Sequence, residues 1–232
     1  MTTGLRRGLV GLLALLLFSG FMGLGAWQVK RLFWKLDLIE RVNLRVSAPA
    51  VIAPTQIDGT NDEYRHVRVT GRFLTGKDVQ VKAVTEIGSG FWLISPLQLD
   101  TGGLVLVNRG FVPPRWTAPQ VSTPEASVTV TGLLRLSEIG GGFLRSNDPA
   151  NQRWFSRDVS AIALNQGLSQ VAPYFIDAQV SEPVDKAQPV AGLTVVAFHN
   201  SHLVYAVTWF ALALMVLGAV FVLARHNKKS NL

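Results

Sequence analysis

The chain has 232 residues, 48% of them hydrophobic, a formal net charge of +7 and no cysteine, which excludes disulfides, thiolate metal sites and the CxxCH attachment of c-type haem. The positive charge would suggest a nucleic-acid partner, but the excess is terminal. Arg6, Arg7, Arg225, Lys228 and Lys229 occupy end segments without an acid, whereas the stretch from Gln28 to His202 carries seventeen Lys or Arg against fifteen Asp or Glu. Basic ends beside apolar runs are the pattern of a membrane protein, and no nucleic acid is expected.

Residues 1–7 form a short basic tail. Residues 8–27, GLVGLLALLLFSGFMGLGAW, hold no charge over about twenty positions, the length that crosses roughly 30 Å of hydrocarbon. A cleaved signal peptide is the rival reading, weakened by the length of the run and the missing A-x-A site. In residues 28–46 the apolar Leu32, Leu36, Ile39 and Val42 recur at helical spacing among Lys30, Arg31, Lys35, Asp37, Glu40 and Arg41. That spacing predicts a juxtamembrane helix that continues outward or lies along the interface.

Residues 47–202 read as a mainly-β domain. After Pro49 and Pro54 come HVRVTGRFL, DVQVKAV, FWLISPLQL, GLVLVNRGFV, SVTVTGLLRL, APYFIDAQV and LTVVAFH, short segments rich in β-branched and aromatic residues. Turn-forming residues separate them at Thr75-Gly76-Lys77, Gly88-Ser89-Gly90, Asp100-Thr101-Gly102-Gly103 and Gly140-Gly141-Gly142, and Pro113 to Pro124 reads as an exposed loop. The expectation is a closed barrel or sandwich with one helical insert around Arg157 to Gly167. Its chemistry is thin. Gly88-Ser89-Gly90 lacks the GxSxG spacing of a nucleophile elbow and the glycine run at 140–142 has no GK[ST] after it, so both read as strand connections. The acids are scattered singly, and Met22 and Met215 lie inside apolar runs, which argues against copper delivery. No enzymatic activity is expected.

Residues 203–224 form a second uncharged run, and residues 225–232 a second basic tail. Basic residues outside both runs predict cytoplasmic termini and a periplasmic central domain, hence a two-span inner-membrane protein. Trp27 ends the first span while Tyr205 and Trp209 open the second, as expected of aromatic rings that favour the outer interface. His199 and His202 lie three apart just before the second span, and either a ligand pair or a pair of interfacial polar residues fits that spacing. His202, Tyr205 and Trp209 recur at helical steps, and an imidazole among aromatic rings suits an axial haem ligand. Trp27 and Arg31, at i and i+4, could present a stacking ring and a propionate partner, although core packing also explains Trp27.

Four stretches carry a resemblance. GAWQVKRLFWKLDLI (25 to 39) is similar to the G-x-W-Q-x-x-R-x-x-W-K-x-x-L-I signature that opens the Surfeit locus protein 1 family. LVNRGFVP (106 to 113), NDPANQRWFSRDVSAIA (147 to 163) and HNSHLVYAVTWFALA (199 to 213) resemble its strand motif, its Pro-Asn-Trp-Asp region and its second-span signature. Phe111 stands where the family often has tryptophan, and Ser201 where asparagine often precedes the histidine.

The resemblance implies an assembly factor for haem-copper cytochrome c oxidase that binds haem a transiently, as a chaperone, and assists its insertion into the catalytic core subunit during respiratory chain biogenesis. It implies His202 as the ligand to haem iron, with Trp27, Gln28, Arg31, Tyr205, Thr208 and Trp209 as neighbouring motif residues. The expected partners are core subunit I of the oxidase, haem A synthase and membrane lipid. The alternative is a cofactor-free membrane scaffold that binds an oxidase subunit or assembly intermediate, its small Gly and Ala residues serving helix contact.

Overall fold

The computed structural model describes residues 3–116, 126–142, 144–179, 189–193, 198 and 200–229. The chain divides into two units, one comprising Met1–Arg41 with Ala197–Leu232 and the other Val42–Val196.

The first unit is helical. Helix α1 runs without interruption from Thr3 to Ser47, and helix α4 from His202 to Lys229. The predicted juxtamembrane helix is therefore the continuation of the first apolar run, since neither proline nor a cap breaks the chain before Ser47. Both helices carry windows long and apolar enough to span a bilayer, and little of either window is buried within the chain. Leu13, Leu16, Leu214 and Met215 are exposed. An apolar surface of that extent on two long helices suits lipid rather than water.

Among its described residues the second unit has nine strands: β1 (Val51–Ile52), β2 (His66–Phe73), β3 (Val79–Thr85), β4 (Gly88–Leu99), β5 (Leu104–Val112), β6 (Val128–Leu136), β7 (Gly141–Gly142), β8 (Arg145–Ser146) and β9 (Val171–Ala178). Two short helices, α2 (Gly59–Asp62) and α3 (Val159–Asn165), accompany them. Strands β2, β6, β9, β5 and β4 pair in that order, and β4 returns to β2 through Gly71↔Leu99, Arg72↔Gln98 and Phe73↔Leu97, which closes a five-stranded barrel. At the closing seam a Cβ on Gly71 would run into the carbonyl of Gln98, so only glycine admits the strand approach. Strand β3 extends the sheet beside the far end of β4, and β1 adds a short parallel pairing to β2.

Side-chain alternation divides the core in two. Val67, Val69, Leu97, Val105, Val107, Leu134, Tyr174 and Ile176 form one apolar cluster. Val79, Val81, Ile94, Leu106, Trp154, Val159, Ile162 and Phe175 form a second that includes α3. Strands β5 and β9 contribute to both clusters with alternate residues, so they are covered on both faces, which explains the unbroken apolar run LVLV at the start of β5.

Six of the seven predicted strand segments and the helical insert are found, with shifts. The turn between β3 and β4 falls at Glu86 and Ile87, two residues before the expected site, and Gly88-Ser89-Gly90 begins β4. Gly141 and Gly142 form β7 rather than a plain connection, and a Cβ on Gly141, at φ +132°, would collide with the carbonyl of Arg145. Pro113 to Pro124 is a turn as far as Trp116. The rest of that loop, His199 and most of the segment LTVVAFH lie outside the described residues.

Candidate functional site

Within the helical unit, α1 and α4 meet antiparallel through a few side chains, Phe21 and Gly25 against Trp209 and Phe210, and Gln28 against His202. The ring of Phe210 rests against Gly25, where an added Cβ would come within 2.6 Å of it. Phe21 stacks on Trp209 with ring centroids 5.8 Å apart, and Ala206 and Ala213 are buried on the same face. Close contact through Gly and Ala is the usual way that apolar helices associate where water supplies no driving force.

One polar bond is set into this contact. His202, the first residue of α4, places Nδ1 2.8 Å from Oε1 of Gln28. Gln28 is only 9% exposed, and a buried amide without a partner would be costly. The backbone N–H of His202 donates to Oδ1 of Asn200 at 3.4 Å, satisfying one of the amides at the start of the helix. Nε2 of His202 has no hydrogen-bond partner among the described residues.

His66 differs from it. Its Nδ1 lies 2.7 Å from the carbonyl of Ala48 and its Nε2 2.9 Å from Oε1 of Gln179. Both nitrogens are engaged, so that ring joins strand to loop and has no donor atom left for a ligand.

The other expected residues fall around this pair. Each residue advances a helix by roughly 100°, and in an antiparallel pair the phases of Trp27 and Arg31 fall on the same side of the packed face as those of Tyr205 and Trp209. Trp27 and Tyr205 are 56% and 53% exposed, so neither ring is spent on packing. Arg31 lies over the ring of Trp34, 3.8 Å from its centroid, a cation–π contact that the sequence reading did not foresee. Trp209 is engaged with Phe21, and the Thr208 hydroxyl donates to the carbonyl of Val204 at 2.9 Å.

A second polar cluster lies in the β-unit. The Asp177 side chain is 1% exposed and accepts hydrogen bonds from Nδ2 of Asn108 at 2.8 Å, Nη1 of Arg135 at 3.0 Å and Nη1 of Arg157 at 3.1 Å. Arg157 also pairs with Glu138. Burial opposes the charge on Glu138, but the hydrogen bonds and positive charge of Arg157 outweigh it and hold the carboxyl below its ordinary pKa. Burial likewise disfavours the Arg157 cation, and its bonds to Glu138 and Asp177 more than compensate. A cleft of about 350 Å³, bordered by Trp92, Arg135, Arg157, Asp177 and Leu193, opens beside the cluster.

Each of these cations faces an acid, Arg135 also lying 3.6 Å from Glu63, so the charges are balanced within a structural network. It joins two of the sequence motifs: Asn108 comes from LVNRGFVP, Arg157 from NDPANQRWFSRDVSAIA, and both meet at Asp177. No spacing in the sequence announced that meeting, because the acceptor lies on β9, far from either motif. Among the described residues no group of three or more His, Cys, Asp or Glu is arranged to hold a metal ion.

Comparison with known proteins matches residues 15–214 to the SURF1 family. Human Surfeit locus protein 1 is 35% identical over 212 residues, covering 82% of this chain and 69% of the relative. Surfeit locus protein 1 of Xenopus tropicalis is 34% identical over 222 residues, covering 86% and 71%. The SURF1-like protein of Drosophila melanogaster is 32% identical over 226 residues, covering 88% and 74%.

Proposed function

The chain belongs to the SURF1 family, and from that premise we propose that it is an assembly factor for haem-copper cytochrome c oxidase that carries haem a to the catalytic core subunit. In this reading it is a protein of the bacterial inner membrane with both termini cytoplasmic and the barrel periplasmic. Haem a is cargo, received from haem A synthase and passed to core subunit I, and no bond-making catalysis is required of the chain.

The observation that carries the reading is the half-engaged imidazole of His202, with Nδ1 held by Gln28 and Nε2 without a partner among the described residues. A porphyrin supplies four nitrogens of its own, so axial ligation asks the protein for one donor rather than a cluster. The exposed rings of Trp27 and Tyr205 offer apolar surface to a macrocycle. Arg31, now over Trp34, would reach a propionate by leaving that ring, an exchange of cation–π contact for an ion pair.

The test is the absorption spectrum of the full-length protein purified from cells that make haem a. The wild type should carry the haem a bands and His202→Ala should lose them. Equal haem a content in the two proteins would sink the ligand assignment.

The scaffold reading is favoured by a separate observation: Gly25, Phe21 and Trp209, all within the span motifs, are used in helix packing. Capture of core subunit I by the His202→Ala protein as efficiently as by the wild type, with no haem a in either, would select it.

A further inference from the structure

Resting on the haem a reading of His202, we propose that Gln28 is a positioning residue: its side-chain oxygen accepts the Nδ1 proton of His202 and leaves the Nε2 lone pair as the ring's one ligating atom. Gln28 does not touch the cargo. It acts through the ring.

The argument begins with tautomers. A neutral imidazole carries one proton on two nitrogens, and only the unprotonated nitrogen can bind a metal. An unrestrained histidine side chain favours the proton on Nε2, which would block that atom. In this structure Nδ1 faces an amide oxygen at 2.8 Å, a normal hydrogen-bond length, so the proton belongs on Nδ1. Nε2, the nitrogen farther from the backbone and without a partner among the described residues, then carries the lone pair. Gln28 is itself held by burial in the helix contact, next to the close approach of Phe210 to Gly25, so the acceptor is fixed before any ligand arrives.

The choice of acceptor matters as well. A carboxylate at this position would draw the Nδ1 proton toward itself and make the imidazole a stronger, more retentive donor. A neutral amide orients the ring without that push, which suits a carrier that must give its cargo up. Acceptor and ligand also come from different helices, 174 residues apart in sequence, so the tautomer is fixed only while α1 and α4 are in contact.

The experiment uses the full-length protein in detergent with ¹⁵N-labelled histidine and no haem, at a pH where imidazole is neutral. The signals lost in His202→Ala assign the two ring nitrogens of His202. In the wild type Nδ1 should be protonated and Nε2 bare; Gln28→Glu, which keeps an acceptor oxygen, should preserve this state, and Gln28→Leu should move the proton largely to Nε2. Titration with haem a should then show affinity about ten- to a hundredfold weaker for Gln28→Leu, and a ferric–ferrous potential shifted negative for Gln28→Glu. An Nε2-protonated ring in the wild type, or a tautomer unchanged by Gln28→Leu, would overturn the proposal whatever the haem result. The expected tautomers together with undiminished haem a binding by His202→Ala would instead overturn the assignment of His202 as the ligand, and the positioning role of Gln28 with it.

Discussion

The helical pair and the barrel bury polar groups in opposite ways. In the barrel, Asp177 gathers Asn108, Arg135 and Arg157, and Arg157 in turn is matched by Glu138. In the helical pair a bond joins Gln28 to His202 and leaves one ring nitrogen without a partner among the described residues. A network whose cations are matched by acids has its worth measured in folding. A half-used imidazole adds little to stability, and its worth is measured in binding.

This contrast breaks most readily at its strongest point. Asp177→Ala should destabilise the barrel by about 1.5–3 kcal/mol, because it removes the buried acceptor shared by Asn108, Arg135 and Arg157 and leaves the two guanidinium groups only Glu63 and Glu138, as read by denaturant unfolding of the full chain. A loss below about 1 kcal/mol would show that the network is not structural. Gly25→Leu forces a branched side chain against Phe210 and should weaken the helical pair by about 1–3 kcal/mol. It should also blur the single tautomer of His202 expected in ¹⁵N spectra. If the tautomer stayed sharp, the ring would be held by something other than helix contact.

A smaller effect is expected at Asp158, the N-cap of α3. Its Oδ1 accepts from the backbone N–H of Ala161 at 3.1 Å and its Oδ2 from that of Gly140 at 3.1 Å. Asp158→Ala should cost about 1 kcal/mol in thermal or denaturant unfolding, without altering the haem a spectrum. The mildest change is with pH. The carboxyl of Glu138 is held below its ordinary pKa in the folded state, so its stabilising contribution is complete above that ordinary value and is lost as pH falls through the lower folded one. Glu138→Gln should flatten the acid limb of the stability profile over that window, and an unchanged acid limb would place the titration elsewhere.

Much of the fold is legible in the sequence because it depends on local periodicity. The two apolar runs, the alternating strands and the helix beginning after Asp158 each announce themselves within a dozen residues. The closing of the barrel does not, since β2 meets β4 and β6, and β9 lies between β5 and β6, through pairings set by tertiary packing. The displaced turn at Glu86 and Ile87 has the same origin: seven pairs between β3 and β4, with Gly88 taking φ +123°, outrank the turn preference of Gly-Ser-Gly. At the site, resemblance singled out Gln28 and His202, but the bond between them is invisible to any local pattern. The stacking of Arg31 on Trp34 could have been found, because three residues on one helix face place a cation beside a ring.

The position of β9 bears on when the barrel can form. That strand runs parallel to β5 and antiparallel to β6, wedged between two segments made much earlier. As the chain leaves the ribosome, strands β1 to β6 emerge without the keystone of their sheet, and contacts of such long sequence separation are slow to form. Closure waits for Ala178, and the second apolar helix begins at His202, only 24 residues later. Synthesis order thus sets the completion of the barrel and the arrival of the second anchor almost at the same moment, and an unpaired sheet edge is exposed until then.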